Sequence, residues 1–428
     1  MTKLRIINNI NIRSVTVGVS WKNQDKQYLT KKIASFMKLS KRVFKESDIE
    51  IRTTRLTMPP LNQHKDISKA SARSIVGWVS DLCHEVGIRW FCVPFDYTND
   101  NSNNVTTVIA TDIATYYPNA FINLIVARDG KINIRSTIAA SKMIQKVSRL
   151  SNNGFDNFRI GVSCNCKPHT PFFPFSYHEG ENDGFSIALE IVDMFIDVIQ
   201  THLKHGIEVV RDELVDLMSK ELFQINELAL RIENETGLDF KGIDASLAPF
   251  PNGESSVGKI LEMLGVDDFG SSNTLFFTSF LTNIIKNSLG KSGVRQVGFN
   301  GVMYSLLEDD CLALRAKQKN FSLESLTLYS SLCGCGVDMV PVPGDILQEE
   351  ISGMIMDVAG MAVTLKKPLG FRILPIPAKE ANELTNFNYD FLVDTRIMET
   401  KNRGSTPARI DNSIFTYLDE YNLRGDND

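Results

Sequence analysis

An α/β fold built around a largely parallel sheet is what this sequence predicts. Two observations predict it. Short, β-branched stretches recur along the chain, and a stretch long enough for a helix separates each from the next. Strands joined in this way pair in parallel through crossover helices, since a tight hairpin joins only antiparallel neighbours. Composition agrees: 43% of the 428 residues are hydrophobic and 23% charged, as in globular chains. A chain this long buries roughly three quarters of its unfolded surface, so a large core is expected.

The elements follow in order. Ile12–Val19 is β-branched and reads as a strand. Lys26–Phe44 carries apolar residues at helical spacing through Leu29, Ile33, Phe36, Met37 and Val43. Glu50–Thr57 alternates as a strand does, and Pro59-Pro60 ends it. Ile67–Val86 is a helix with Ser68 or Asp66 as its cap. Ile88–Pro94, Phe121–Ala127 and Phe158–Cys164 are strands, and Val105–Tyr117 and Ser136–Ser151 are helices. Cys166–Asn182 differs in texture: three prolines and aperiodic aromatics predict a long ordered loop, a kind of segment that is often functional. A strand at Phe185–Glu190 precedes a helical stretch from Val192 to Glu235, weakened at Gly206. The second half predicts a strand at Leu238–Ala245 and helices at Ser256–Leu264, Ser271–Ser288, Ser305–Gln318 and Ser322–Leu332. After the turn Cys333–Gly336 come a helix at Asp345–Leu365 and a strand at Leu369–Ile376. The tail from Thr400 is polar apart from Ile410–Tyr421.

Charge narrows the partners. The balance is 46 − 51 = −5 with His neutral, which favours solubility and argues against nucleic acid or an anionic membrane surface. No apolar run reaches the roughly 18–20 residues that a membrane-spanning helix needs. The opening Met1–Asn9 has polar breaks where a signal peptide is continuously apolar, so a cytoplasmic protein is expected. Seven cysteines, an odd number in apolar settings, read as reduced thiols.

Five segments offer chemistry. Asp244 and Ser246 follow a strand and share one face of an extended segment, so both can reach one ligand; the rival role is capping and backbone satisfaction. Asp268–Thr274 is a glycine turn opening an apolar helix, suited to an anion or simply to capping. Glu308-Asp309-Asp310 offers adjacent carboxylates for acid–base work, or a complement to a helix dipole. Cys333-Gly334-Cys335 and Cys164-Asn165-Cys166 are two Cys-x-Cys pairs, which act as buried thiols or, brought together, as a four-thiolate metal site. His178 sits in the aromatic loop, as a proton shuttle or a staple. His202 and His205 read as surface residues. Arg13, Arg55 and Arg372 lie inside strand-like stretches, where arginine requires a buried anion or an exposed face.

Taken together, GIDASLAPFP, SSVGKILEMLGVDDFGSSNTL, LLEDDCLALRA, LYSSLCGCGVDMVPVPGD and FRILPIP resemble the domain of unknown function 711 family, also called uncharacterised protein family 0210. TPFFPFSYHEG and the opening INIRSVTVGV fit it as well. The resemblance runs from about Ile12 to Ile410 and implies a fold like that of the pyruvate formate-lyase-like glycyl radical enzymes. That fold is a ten-stranded α/β barrel of two five-stranded parallel halves laid antiparallel. It implies one domain over 1–410, with halves at about 12–190 and 238–376 flanking the helical 192–235, and a tail at 411–428. In radical enzymes of that fold a loop cysteine meets a C-terminal glycine. Here Cys333 matches the family's cysteine, and Gly404 matches a C-terminal Arg-Gly segment, although no aromatic residue closely follows that glycine. The family brings no established activity.

The functional expectation is an enzyme acting on a small anionic metabolite inside the barrel. Arg55 and Arg372 hold its charge, and Asp244 and Ser246 orient it. Glu308, Asp338 or His178 moves protons, and Cys333 is nucleophile or redox thiol. A non-catalytic metabolite-binding protein with the same pocket is the alternative, and glycyl radical or thiol-redox chemistry a third reading. No cofactor and no metal are specified, and a homo-oligomer is compatible with the sequence.

Overall fold

The structure is a computed structural model that describes residues 10–20, 25–64, 67–99, 103–401 and 414–416. Its strands are β1 (Asn11–Gly18), β2 (Ile51–Thr57), β3 (Trp90–Asp96), β4 (Ala120–Arg128), β5 (Lys131–Asn133), β6 (Ile160–Cys164), β7 (Gly184–Glu190), β8 (Asp239–Asp244), β9 (Gly336–Pro343), β10 (Leu369–Ile376) and β11 (Ile414–Thr416). The α-helices are α1 (Lys26–Lys45), α2 (Lys69–Glu85), α3 (Asn103–Tyr116), α4 (Ile134–Val147), α5 (Val192–His202), α6 (Ile207–Thr236), α7 (Val257–Met263), α8 (Thr274–Ser292), α9 (Asp310–Lys317), α10 (Leu323–Tyr329) and α11 (Gln348–Thr364).

The main sheet runs β8-β7-β1-β2-β3-β4-β6-β10-β9. β1, β2, β3, β4 and β6 are parallel neighbours. β7 and β8 are parallel to each other, as are β9 and β10, and both pairs meet the first set antiparallel, through β1–β7 and β6–β10. β7 therefore runs with the second set of strands. Between the outer strands β8 and β9 lies the segment 295–305, which bridges in parallel to both through Ile243–Gln296, Leu247–Val302 and Ser305–Asp338. These are isolated bridges, so the barrel-like ring is spanned there without a regular hydrogen-bonded ladder.

Why that segment fails to form a ladder is visible in its sequence. Gly298 and Asn300 take positive φ (77° and 51°), which kinks the backbone. The Asp244 carboxylate then accepts from the amides of Phe299 (2.8 Å) and Asn300 (3.2 Å) in place of strand carbonyls. No room remains for another residue at Gly298, whose Cβ would fall 1.9 Å from Asp244 Oδ2.

The helices cover the outer faces. α6 packs on α8 and α1, and α4 on α3 and α11. Their caps follow the sequence: Ser68 forms a capping box with Ser71 at the start of α2, and Gly206 separates α5 from α6 at φ 107°. Strands covered outside by helices send one side chain set to that layer. Val15, Val17, Val93, Leu124 and Val162 are buried in it. The alternate residues, among them Ser14, Thr16, Cys92 and Asn123, face the barrel interior.

That interior is filled by the aromatic loop 166–178. The Pro171 carbonyl accepts from Ser14 Oγ (3.4 Å) and Thr16 Oγ1 (3.2 Å). The Ser176 carbonyl accepts from Cys92 Sγ and Asn123 Nδ2, both at 3.2 Å. The Phe175 ring lies on Gly161 and Gly370, where any Cβ would collide with it. The strands' inward polar groups thus serve the backbone of a chain segment threaded through the middle.

Two expectations need correction. Gly336–Pro343 is a strand, β9, where no element was expected beyond the turn Cys333–Gly336, and Pro341 and Pro343 are the reason the sequence hid it. Proline is tolerated because β9 has a regular ladder only on its β10 side. The helix expected over Ser305–Gln318 begins as a bridge at Ser305 and a short 3-10 turn at Leu306–Glu308, with α9 starting at Asp310. Among the described residues no helix is long and apolar enough to cross a membrane. Gly404 and Asp66 lie outside the described residues.

Candidate functional site

Where β1, β3 and β4 begin and the chain leaves β8, a cavity of about 100 Å³ remains between the barrel wall and the threaded loop. Its charged lining is Arg13, Arg55, Arg372, Glu308 and Asp338, joined by the Cys335 thiol. Its apolar wall is aromatic: Trp90, Phe121, Phe158, Phe172, Phe173 and Phe175. The two strand sets run in opposite directions, so residues distant in sequence converge at this one end.

The three guanidinium groups are not equivalent. Arg372 on β10 donates Nε and Nη2 to the two oxygens of Asp338 at 2.6 and 2.9 Å, and Nη1 to the Phe158 carbonyl at 3.1 Å. This is a complete bidentate pair. A β-bulge makes it: the β9–β10 register slips between Phe371 and Ile373, and Met339 takes φ 55°, which turns Asp338 toward Arg372. Arg372 is buried, which by itself lowers its pKa, but Asp338 outweighs the burial and raises it.

Arg13 on β1 donates to the Pro249 carbonyl at 2.7 Å and stands 3.6 Å from Glu308. Arg55 on β2 is the group left short. Its contacts are one 3.4 Å bond from Nη1 to the Pro171 carbonyl and the face of the Phe173 ring 5.2 Å away, and its buried Nε has no acceptor. Burial, then repulsion from Arg13 and Arg372, pushes its pKa down to about 9 against the attraction of Glu308. It remains a cation at neutral pH. A half-buried guanidinium with a buried donor unused gains more from an incoming anion than one already paired.

The expected site residues separate into those the cavity gathers and those it does not. Arg55, Arg372, Glu308 and Asp338 line it together. Asp244 and Ser246 do not. Asp244 is fully buried and accepts from Ser246 N (3.0 Å), Ser246 Oγ (2.5 Å), Phe299 N and Asn300 N. These bonds stabilise its charge, yet burial dominates and raises its pKa to about 6. Asp309 is similarly occupied: it caps α9 through Cys311 N and Leu312 N and holds Val257 N and Gly258 N at the start of α7.

His178 also lies elsewhere, past the far end of β1. Its Nδ1 abuts Gly18, Nε2 pairs with the Asn182 carbonyl at 3.1 Å, and its ring meets His169 at 5.0 Å. Burial and, secondarily, Lys241 push its pKa down to about 4, so it is a neutral packed imidazole. Cys333 is buried beside the cavity, and it is Cys335 that lines it. Among the described residues no group of three or more His, Cys, Asp or Glu is placed to hold a metal ion. Sequence reasoning preferred Cys333 to Cys335 and passed over the aromatic wall. The signal for the wall was present in strand alternation, since Trp90 and Phe121 fall on the same inward set as Cys92 and Asn123.

Fold and cavity define a barrel-like α/β protein with an enclosed, arginine-rich hollow. The chain belongs to the family described as "Uncharacterised ACR (DUF711)", which matches residues 6–391. Similar proteins include a UPF0210 protein of Clostridium perfringens, 23% identical over 414 residues, covering 89% of this chain and 88% of the relative. Another, from Acetivibrio thermocellus, is 24% identical over 406 residues with the same coverages. A UPF0210 protein of Pyrobaculum aerophilum is 28% identical over 227 residues, covering 51% of this chain and 49% of the relative.

Proposed function

We propose that the cavity binds a small organic monocarboxylate, anchored on Arg55. The observation that carries this reading is the uncompensated Arg55 guanidinium, with a buried Nε that lacks an acceptor. Charge supports a monoanion: three arginines face two carboxylates, and the Arg372–Asp338 pair is complete within itself. Size and lining support a compact ligand with an apolar body, because about 100 Å³ walled by aromatic rings excludes extended or highly hydrated molecules. The aromatic faces pack the hydrocarbon part while the guanidinium takes the carboxylate, bidentate if both Nε and an Nη are used.

Turnover is the second reading, and Glu308 favours it. Its carboxylate lines the same cavity and is held by Arg13 at the long distance of 3.6 Å, which leaves oxygen lone pairs available to a ligand proton. In this reading Arg55 orients the substrate and Glu308 acts as the base.

Thermal denaturation with a series of monocarboxylates, from acetate to benzoate, tests the binding claim on wild type and Arg55→Met. A carboxylate of the right size is expected to raise the wild-type Tm in proportion to the logarithm of its concentration, with about 2.7 kcal/mol of stabilisation at 100 times Kd. The variant is expected to show no shift. Equal shifts in both proteins, or none for any member of the series, would refute the proposal.

A further inference from the structure

The Cys333-Gly334-Cys335 turn belongs neither to the anion anchor nor to the acid–base group, and its geometry is that of a working thiol pair. Both sulfurs are buried, two residues apart on one turn. Cys335 faces the cavity, so one of the two has an approach route. The Tyr304 amide donates to Cys335 Sγ at 3.2 Å, a bond that stabilises negative charge on that sulfur. On the other side the Lys367 ammonium is lodged on the turn, donating to the carbonyls of Ser330 (2.9 Å), Ser331 (3.1 Å) and Cys333. The turn is held tightly: Gly334 N donates to the Val302 carbonyl at 2.6 Å, and the absence of a Cβ lets its backbone rest on Gly301. A cation and an amide donor are features that activate thiols.

We infer that Cys333 and Cys335 are a reversible dithiol–disulfide pair that opens onto the cavity through Cys335 and exchanges with small-molecule disulfides. The two steps balance. The Cys335 thiolate attacks one sulfur of RS–SR, that S–S bond breaks, and RS⁻ leaves and takes up the proton given up by Cys335. The Cys333 thiolate then attacks Cys335 Sγ in the mixed disulfide, and a second RS⁻ leaves with the second proton. The dithiol loses two electrons and two protons, and the reagent becomes two thiols. Electrostatics place the first charge on Cys333: burial opposes it, but the neighbouring Cys335 thiol and the Lys367 charge outweigh burial and bring the Cys333 thiol down to about 6, while that same neighbour and burial hold Cys335 well up. Passage of the Cys335 proton to Cys333 then puts the charge on the sulfur that faces the cavity, where the Tyr304 amide receives it.

The second Cys-x-Cys pair is the internal comparison. Cys164 and Cys166 are equally buried, and neither lines the cavity; burial holds both thiols well up. Dimethyl disulfide, compact and apolar enough for the cavity, added to the reduced, folded full-length chain, followed by alkylation under denaturing conditions and peptide mass spectrometry, is the test. The peptide holding Cys333 and Cys335 is expected to lose two hydrogens, with Cys164 and Cys166 alkylated, and at a rate about tenfold or more above any reaction at the second pair. Cys333→Ser is expected to stop at the mixed disulfide on Cys335, and Cys335→Ser to react at neither position. Circular dichroism checks that the variants fold, and the wild-type result decides alone if they do not. Full alkylation of Cys333 and Cys335 in the wild type, or a bridge forming first at Cys164–Cys166, would overturn the inference.

Discussion

Asp244 and Arg55 are charges inside this barrel, the first fully buried and the second half-buried, and the two places are built differently. Asp244 receives four hydrogen bonds from Ser246, Phe299 and Asn300 and pins the 295–305 segment to β8. Arg55 has one long bond to a carbonyl and an idle Nε beside a cavity. A buried ion whose bonds are all made holds structure together. One whose bonds are left open keeps a place for something else.

Four outcomes sharpen or break that contrast, and the largest should come from Asp244→Ala. It strands buried donors on Ser246, Phe299 and Asn300, which should cost about 3–5 kcal/mol in urea unfolding. If the variant folds, its carboxylate binding should be unchanged, because Asp244 does not line the cavity. Asp338→Asn comes next. It leaves the Arg372 guanidinium buried without its counter-charge, at a cost of about 3 kcal/mol. The freed guanidinium should also shift ligand preference from monocarboxylates toward dicarboxylates, readable when dicarboxylates are added to the thermal-shift series.

The third outcome is a pH dependence at the far end of β1. The folded pKa of His178 is depressed to about 4, below its ordinary value, so the unfolded chain binds its proton first. The stability His178 contributes is therefore present above about pH 6.5 and lost as pH falls toward 4, on the order of 2 kcal/mol. Asp244 works in the other sense: its folded pKa is raised to about 6, so its contribution is lost as pH rises through that value. Comparing wild type with His178→Gln between pH 7 and 4 cancels the Asp244 contribution. The variant should show the flatter acid limb, and an unchanged limb would show that His178 is not the group titrating.

Much of the architecture was legible because it is written in local periodicity. The β-branched run Ile12–Val19 announced β1, a cap at Ser68 or Asp66 announced α2, and Gly206 marked the break between α5 and α6. Arginine within strands pointed to Arg55 and Arg372 because a charge there needs a reason. What stayed hidden depends on contacts between distant segments. Pro341 and Pro343 masked β9, whose position beside the irregular 295–305 segment no local pattern reveals. Asp244 and Ser246 had the spacing of a ligand pair, but the amides they satisfy lie more than fifty residues away. The polar inward face of the strands was readable, and its partner, the loop 166–178, was not. Cys333 and Cys335 differ in which sulfur meets the cavity, a matter of one turn's geometry.

The smallest stability effect is expected where the account is most exposed. Arg55→Met replaces a half-buried, under-bonded cation with an apolar chain of similar length. Its urea unfolding free energy, measured in carboxylate-free buffer, tests directly whether Arg55 lacks a partner in the unliganded protein. The account predicts a change between zero and a gain of about 2 kcal/mol. A loss of about 3 kcal/mol or more would mean that the guanidinium is already paired within the fold, and the anion site would not exist.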